Sequence, residues 1–496
     1  MTRIADRLFL AMAFALLLCS VALTLVFGGR VDDPEYFNYV GRCLLSGRHL
    51  YSDIWDCKGP ILYYVSAFGA FLHPVVGQTL LFAVILAIDL ILFHGLIRRI
   101  GGTRAGISTF LFAALALGVG QYACIGWQEM LVCLFVLLGL WSQGRPVLWG
   151  DVLAGVCAGF VFLIKPNLIS FLSVPPVQEL PAAIRSGAWG RFALRCLCLV
   201  SGFAAVLLAV TACFLPDAVG DLWTGSLLWN LLQRSQNVPG WFAYWANALL
   251  RHRFWVQHGW ILPIFWLLFA IGMLRVIVLR NGKWTCWAVW AVLETAAAFA
   301  FPGFCKHYVI VACLPVVLLA VGVGSGASVR GEWRFAALAL FVFAMLLCVR
   351  GGWWLRGHIR ATAGRERELV EISERIRARR GDVTVCGRSS PVAVLNKLGL
   401  FSRQRFPGLM FWWRKSSETF RQDIAKDLLM SLRADDGWLI TEMPLDRLVR
   451  TLEDERIAAA LSRYHLSYRA ARNGVYLYRT EKHDRIRKEL SNESVR

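Results

Sequence analysis

A polytopic α-helical membrane protein with a small extracytoplasmic α/β domain at its C-terminal end is the fold class this sequence predicts. Three observations predict it. Of 496 residues, 57% are hydrophobic and 17% charged, and the mean hydropathy is +0.53; soluble globular chains carry roughly 45–50% apolar and about 25% charged residues. Apolar runs long enough to span a bilayer recur, with Lys and Arg gathered in every second gap between them. Beyond about Arg350 the pattern changes to short β-type runs alternating with charged helical ones. Such a composition excludes a soluble enzyme, a disordered chain and a fibrous one. The 53 Lys and Arg against 33 Asp and Glu give a net charge of +20. That excess does not read as nucleic-acid binding, because much of it sits in short gaps where topology and lipid head groups account for it.

Taken from the N-terminus, the predicted spans are Leu8–Phe27, Val76–Ile97, Ala105–Gly120, Trp127–Gln143, Leu148–Ile164, a short one at Leu168–Val177, Phe192–Phe214, Gly259–Leu279, Trp284–Phe301, His307–Val323 and Phe335–Val349. That makes about 11 transmembrane helices at roughly 20 residues per span. The first has the polarity of a signal peptide. Its apolar run is long enough to span and no small-residue cleavage site follows, so it reads as a retained helix. The gaps assigned to the cytoplasm hold Arg98, Arg99 and Arg104, then Arg145, Arg185, Arg191, Arg195, Arg275, Arg280, Lys283, Arg330 and Arg334. This charge places the N-terminus in the cytoplasm, with the first loop and the C-terminal tail outside. The Leu168–Val177 span matters here, because without it everything after Lys165 inverts.

Residues 1–350 are thus expected to form the membrane domain, with outer segments at 28–73 and 215–258, and residues 351–496 the outer α/β domain. The second outer segment holds Trp223, Trp229, Trp241, Trp245 and Trp255 with Arg234, Arg251 and Arg253, a pattern of amphipathic helices lying at the interface. In the tail, Glu366–Arg380 reads as a charged helix, Asp382–Cys386 as a strand and Val392–Leu398 as a helix. Trp438–Ile440 and Gly474–Tyr478 are further strands. No internal repeat is present. The 14 cysteines form no CxxC pair and no Cys/His cluster of zinc spacing, and most lie in or beside apolar stretches as small hydrophobic residues.

The first outer segment carries the densest chemistry. From Val31 to Val65 it reads VDDPEYFNYVGRCLLSGRHLYSDIWDCKGPILYYV, with Asp32, Asp33, Glu35, Asp53 and Asp56 beside Arg42, Arg48 and Lys58. An acid just beyond a membrane helix can act as base on an acceptor hydroxyl, and a neighbouring cation can hold an anionic leaving group such as a phosphate. The same charges also read as pairs in a solvated loop, although Arg and Lys on an outward segment run against the topology bias.

The order of these residues is distinctive. Asp33 followed by Tyr39-Val40-Gly41, then Leu44-Leu45 and Gly47, then Leu50-Tyr51, Asp53, Trp55-Asp56, Lys58 and Pro60, resembles the first loop of bacterial GT-C glycosyltransferases. The branch is the one related to protein O-mannosyltransferases (family 39) and the aminoarabinose lipid A transferases. Further pieces resemble that family in the same order: Gln128-Glu129 opening a helix, Phe162 to Asn167 around Lys165, Lys306-His307-Tyr308 before Leu314-Pro315, and Val385-Cys386-Gly387 with Ser402-Arg403 in the tail. Cys386 stands where the family usually has Trp.

The resemblance implies a GT-C fold and transfer of a sugar, hexosyl or pentosyl, from a polyprenyl-phosphate carrier to an acceptor outside the bacterial cytoplasmic (inner) membrane, with inversion. The acceptor would be a cell-envelope polysaccharide, a glycolipid or a protein; the remaining partner is the lipid bilayer, with no nucleic acid. One base suffices, because the lipid phosphate leaves as a stabilised anion, whereas a hydrolytic glycosidase needs two carboxylates. Asp33 holds the family position of the base, and Asp32 is the second choice. Glu35 reads as a helix-start residue after Pro34. Glu129 reads either as an acid at a helix N-terminus or as a second acidic wall orienting the acceptor or a metal. Lys58 and Lys165 are candidates for the carrier phosphate, against the alternative that a Lys at a membrane boundary snorkels to the head groups. Lys306 and His307 would form a phosphate clamp in an outward turn. Arg403 and Arg405 would touch donor phosphate or acceptor from the outer domain, or form a solvated basic face. No residue set has metal-ligand spacing, and an acidic pair holding Mn or Mg is the only metal alternative. Two non-catalytic readings stand beside the transferase: a flippase or transporter of lipid-linked sugars, for which no inverted repeats are found, and an inactive assembly subunit.

Overall fold

The computed structural model describes residues 3–27, 33–102, 104–118, 126–143, 148–215, 218–227, 261–279, 284–299, 306–322, 367–368, 370–377, 382–386, 392, 394–396, 399–402, 404–406, 418–432, 437–470 and 475–480. The expected spans that fall within these residues are helical, with one exception. In chain order the helices are α1 (Arg3–Phe27), α2 (Asp33–Leu45), α3 (Pro60–Leu72), α4 (Gly77–Arg99), α5 (Ala105–Gly118), α6 (Gln128–Ser142) and α7 (Leu148–Ile164). Beyond these lie α8 (Val174–Ser186), α9 (Trp189–Cys213), α10 (Val219–Trp223), α11 (Ile261–Leu279), α12 (Thr285–Phe299) and α13 (Val309–Val317), which runs on into a π turn at Leu318–Gly322. Among the described residues, three helices are long and apolar enough to cross a membrane alone, Arg3–Ala22 within α1, then α4 and α9, and seven further apolar helices are shorter. The expected span Phe335–Val349 lies outside the described residues, as does most of the second outer segment.

The exception is Leu168–Val177. It is not a spanning helix but two 3-10 turns, Pro166–Leu168 and Ser170–Ser173, leading into α8. The reason is local: Pro166, Pro175 and Pro176 lack backbone donors, and side chains take over as partners. Asn167 Nδ2 donates to the Ala297 carbonyl at 3.1 Å, and the Ser170 hydroxyl donates to Glu294. Residue 167 therefore meets 297 and residue 170 meets 294, so the link runs antiparallel to α12.

The same link decides the direction of α9. The α7 and α9 helices pack in step. Arg195 Nε bonds Asp151 at 2.7 Å, a Cβ on Gly155 would lie 2.0 Å from the Leu199 carbonyl oxygen, and one on Gly159 would lie 2.7 Å from Val206 Cβ. Partner numbers rise together, so the two helices are parallel. The stretch from Lys165 to Ala188 thus returns the length of α7, about 25 Å at 1.5 Å per residue, and the chain is not inverted after Lys165. Non-helical backbone is tolerated at that depth because it lies against other protein.

The described residues divide into two compact units, one drawn from Met1–Val26, Thr79–Asp217 and Val238–Trp354, the other from Phe27–Gln78, Ala218–Asn237 and Leu355–Arg496. In the first, helical unit, a chain of contacts gathers many helix ends together. Asp6 of α1 accepts from the Gly106 amide at 2.6 Å and lies 3.1 Å from His94 of α4. Arg99 of α4 reaches the Trp141 carbonyl of α6 at 2.6 Å, Ser142 reaches the Gly150 carbonyl at 2.8 Å, and Asp151 and Glu179 share Arg195. Arg275 of α11 donates to Ala320 in the π turn. The start of α6, by contrast, meets the end of α7 at the opposite end, where Glu129 pairs with Lys165.

The second, mixed unit contains a four-stranded sheet of β1 (Asp382–Cys386), β2 (Gly437–Thr441), β3 (Tyr464–Ala470) and β4 (Val475–Thr480), in the order β1-β2-β4-β3. Only β1 and β2 are parallel, which requires a crossover between them, and helix α14 (Glu418–Leu432) lies within it. Two short helices, α15 (Leu445–Leu452) and α16 (Glu455–Leu461), precede β3. The strands expected at Asp382–Cys386, Trp438–Ile440 and Gly474–Tyr478 are β1, β2 and β4; β3 is additional. The described residues of the expected helices at Glu366–Arg380 and Val392–Leu398 are helical. The first outer segment is not a loop: it holds α2 and α3, and its apolar residues Phe37, Tyr39, Val40, Leu62 and Tyr63 are almost wholly buried.

The α7–α9 seam gives a direct test. Gly155→Val would drive a side chain into the Leu199 carbonyl and is expected to cost at least about 1–3 kcal/mol. Gly190→Ala, where a Cβ meets nothing within 4 Å, should leave thermal unfolding in detergent unchanged or slightly raised. Equal melting temperatures for Gly155→Val and the wild type would refute the packing.

Candidate active site

Asp33 opens α2, with Pro34 and Glu35 completing an acidic first turn suited to a helix N-terminus. Its side chain is exposed. Asp32 lies outside the described residues. Behind Asp33, the stretch from Arg48 to Pro60 folds into a tight turn. Asp53 Oδ2 accepts from the His49 amide at 2.7 Å, and the Tyr51 amide donates to Ile54 at 2.7 Å. Tyr51 takes a φ of 69°, a region a non-glycine residue adopts at a cost of about 1–3 kcal/mol. It is held there by its buried ring, by its hydroxyl donating to the Lys58 carbonyl at 2.7 Å, and by Arg405, which donates to the Tyr51 carbonyl at 2.7 and 3.0 Å.

This turn buries Asp56, 2% exposed. The carboxylate accepts from the Cys57 amide at 2.7 Å and from the Tyr63 hydroxyl. Burial pushes the Asp56 carboxyl above the usual range; the Lys58 charge and the two donors oppose the shift, and the Asp33 charge adds to it. Asp56 thus feels the charges of both Lys58 and Asp33. Asp56 was visible in the sequence as one of several acids and as part of the Trp55-Asp56, Lys58, Pro60 order, but was given no role. Its signal was its place directly before Cys57-Lys58 and seven residues ahead of Tyr63.

Arg405 is engaged in the fold. Besides Tyr51 it pairs with Asp221 at 2.9 Å, while its own amide and that of Phe406 donate to Asp427 of α14 at 3.0 and 3.1 Å. Arg403 lies outside the described residues. Cys386, in the position where the resembling family has Trp, closes β1 fully buried, and burial pushes its thiol up to about 12, so it acts as a packing group.

In the helical unit, Glu129 in the first turn of α6 is completely buried. Its Oε1 pairs with Lys165 Nζ at 2.5 Å and lies 3.8 Å from His307 Nε2. Lys165 sits 3.5 Å from the centre of the Tyr308 ring, and His307 stacks on Trp127 at 4.3 Å. Glu129 Oε2 has no hydrogen-bond partner among the described residues. The structure thus brings together Glu129, Lys165 and His307 from three separate stretches. The backbone of Lys306 forms a 3-10 turn with His307 and Tyr308; its side chain is outside the described residues. Beneath them Glu294 accepts from Ser170 and, at 3.3 Å, from Trp290. Sequence reasoning passed over Glu294 and over Asp89, a buried acid of α4 with both oxygens unpartnered among the described residues. Each is the sole acid of an apolar run, which is itself the signal that could have found it. No group of three or more His, Cys, Asp or Glu side chains stands together as metal ligands among the described residues.

This geometry makes two testable demands. Lys165→Met takes the nearest cation from a buried Glu129 carboxylate and is expected to cost about 3–5 kcal/mol, most of which Glu129→Gln should restore in the double variant; thermal unfolding of the four-member cycle reads it, and additive losses would refute the pair. A carboxyl whose folded value is raised binds more protons when folded, so its contribution to stability is fully present at low pH and is lost as pH rises through that value. The melting temperature of the wild type should accordingly fall relative to Asp56→Asn as pH is raised from 3.8 upward. A constant difference would show that burial does not govern Asp56.

No protein-family model matches this sequence, and no curated protein sequence matches it. Solved structures do. ArnT from Cupriavidus metallidurans bound to undecaprenyl phosphate superposes with a TM-score of 0.57 at 14% identity, over 95% of this chain and 97% of that one. The apo form of the same protein gives 0.53. The oligosaccharyltransferase AglB from Archaeoglobus fulgidus, in complex with an inhibitory peptide and a dolichol-phosphate, gives 0.44 at 10% identity over 95% of this chain and 74% of that one. Along almost its whole length the chain has the fold of ArnT, in agreement with the resemblance carried by its loop motifs.

Proposed function

We propose that this chain is an integral membrane glycosyltransferase that moves a sugar from a polyprenyl-phosphate carrier to an extracytoplasmic acceptor with inversion, Asp33 acting as base. The observation that carries the reading is the exposed Asp33 carboxylate at the start of α2, ahead of the turn that buries Asp56, on a fold shared with a solved structure that holds undecaprenyl phosphate. Asp33 takes the proton of an acceptor hydroxyl as its oxygen attacks the anomeric carbon. The bond from that carbon to the phosphate oxygen breaks, and the carrier phosphate leaves as an anion that needs no proton. Lys58 is assigned to that phosphate; in the helical unit Glu129 holds Lys165 and stands 3.8 Å from His307.

The orientation in the bacterial cytoplasmic membrane follows from charge. Arg3, Arg7, Arg98, Arg99, Arg104, Arg195 and Arg275 belong to the helix ends gathered at one end of the helical unit. By the positive-inside rule that end is cytoplasmic, as is the N-terminus, and the α/β domain is outside. The acceptor would be a cell-envelope polysaccharide, a glycolipid or a protein.

Purified protein in nanodiscs, incubated with a panel of polyprenyl-phosphate sugars with and without Mn or Mg, should consume one donor by mass spectrometry. Asp33→Asn should lower that turnover by at least about a hundredfold while remaining folded. Near-wild-type turnover in the variant would remove Asp33 as the base; binding of a donor without turnover by the wild type would favour a translocator or an inactive subunit.

A further inference from the structure

Three buried polar side chains on one face of α2 are bonded to residues 395–402, and the chemistry assigned above uses none of them. Glu35, Tyr39 and Arg42 stand at helical i, i+4 and i+7 spacing. Asn396 is at the centre of the arrangement. Its Nδ2 donates to the Glu35 carbonyl at 3.0 Å and to Glu35 Oε1 at 2.7 Å. Its Oδ1 accepts from Arg42 Nη1 at 2.9 Å, and the same Nη1 reaches the Leu395 carbonyl at 3.3 Å. Between these two, the Tyr39 hydroxyl accepts from the Ser402 amide at 2.8 Å. The Arg42 guanidinium also lies over the Phe401 ring at 5.1 Å. Glu35, Arg42 and Asn396 are each 7% exposed or less, and Tyr39 and Ser402 are fully buried.

A buried network of this kind is rigid when complete, and costly when one member is missing. Its location gives it a consequence for the reaction. Asp33 lies two residues ahead of Glu35 on the same helix, so whatever fixes the first turns of α2 also fixes where the Asp33 carboxylate is presented. Among the described residues, Asn396 is the side chain that grips both the start of α2, through Glu35, and its last turn, through Arg42. We propose that Asn396 is a positioning residue for sugar transfer: it locks α2 to the C-terminal residues and thereby sets the place of the base. The proposal rests on the reading of Asp33 as base.

Two measurements test it together, turnover and amide hydrogen exchange of the full-length protein in nanodiscs. A displacement of about 1 Å in a reacting group can cost on the order of a hundredfold, so Asn396→Ala should lower kcat by about ten- to a hundredfold. Its Kd for undecaprenyl phosphate should stay within about twofold, since none of the hydrogen bonds removed involves an assigned phosphate ligand. Exchange should quicken in α2 while β1, β2, β3 and β4 keep their protection. Asn396→Asp sets two carboxylates against each other and should be as poor. The double variant Glu35→Gln/Asn396→Asp, with the donor now at position 35 and the Arg42 acceptor retained, should recover at least about tenfold over Asn396→Asp alone.

Unchanged kcat, or unchanged exchange in α2, overturns the proposal. So does a loss of kcat accompanied by lost protection throughout the sheet and no recovery in the double variant, which would make Asn396 a folding residue only. A wild-type protein that consumes no donor would sink the transferase reading instead, and the exchange data would still decide whether Asn396 holds α2.

Discussion

Charge buried in an apolar helical bundle has to find its opposite on another helix, and this requirement organises the helical unit. Asp151 in the first turn of α7 takes Arg195 of α9, and Glu179 of α8 joins them. Asp6 lies 3.1 Å from His94 and accepts from the Gly106 amide of the fifth helix. Glu129 takes Lys165, and His307 stands 3.8 Å from the same carboxylate oxygen. Each pair joins segments that are far apart in the chain, so each fixes a register that apolar packing alone, which is non-directional, would leave loose. The pairs themselves add little net stability, because desolvation offsets most of the attraction. What they supply is a single arrangement of helix ends.

The mixed unit solves a related problem by different means. Its first helix is short and only partly apolar, so it cannot stand alone in water or in lipid. It is held through neutral and charged hydrogen bonds to the C-terminal residues, with aromatic rings filling the space between. The turn after it carries a strained tyrosine and a buried aspartate, and the strained tyrosine is gripped by Arg405. An exposed acid, a buried acid and a lysine are thereby presented from a framework whose parts lie more than 350 residues apart in sequence.

This separation explains what could and could not be read from the sequence. The spans were legible because their apolar runs exceed anything a soluble core needs, and three strands were legible as β-branched or aromatic runs such as Asp382-Val-Thr-Val-Cys386. The strand Tyr464–Ala470 was not, since His465, Leu466, Ser467 and Arg469 are exposed and a bulge breaks its register between Leu466 and Tyr468. Leu168–Val177 was misread because composition was weighed above its prolines. The family-like order of Asp33, Lys58, Glu129 and Lys165 could be read, but the meeting of Glu129 with Lys165 and His307 could not, and Asn396 had no local signal at all: Glu35 is 361 residues away. Local rules cannot see a contact of that length.

The broken link between α7 and α9 carries a consequence for biosynthesis. Its Asn167 and Ser170 side chains find their partners on α12, and Asn167 waits for a carbonyl 130 residues downstream. At translation rates of roughly 5–20 residues per second that wait is on the order of ten seconds. During it the link cannot be a settled part of the bundle, whereas α7 and α9, with complementary glycines and a shared arginine, can already pair. Assembly of the helical unit is therefore ordered in time, with the segment least able to stand alone locked last.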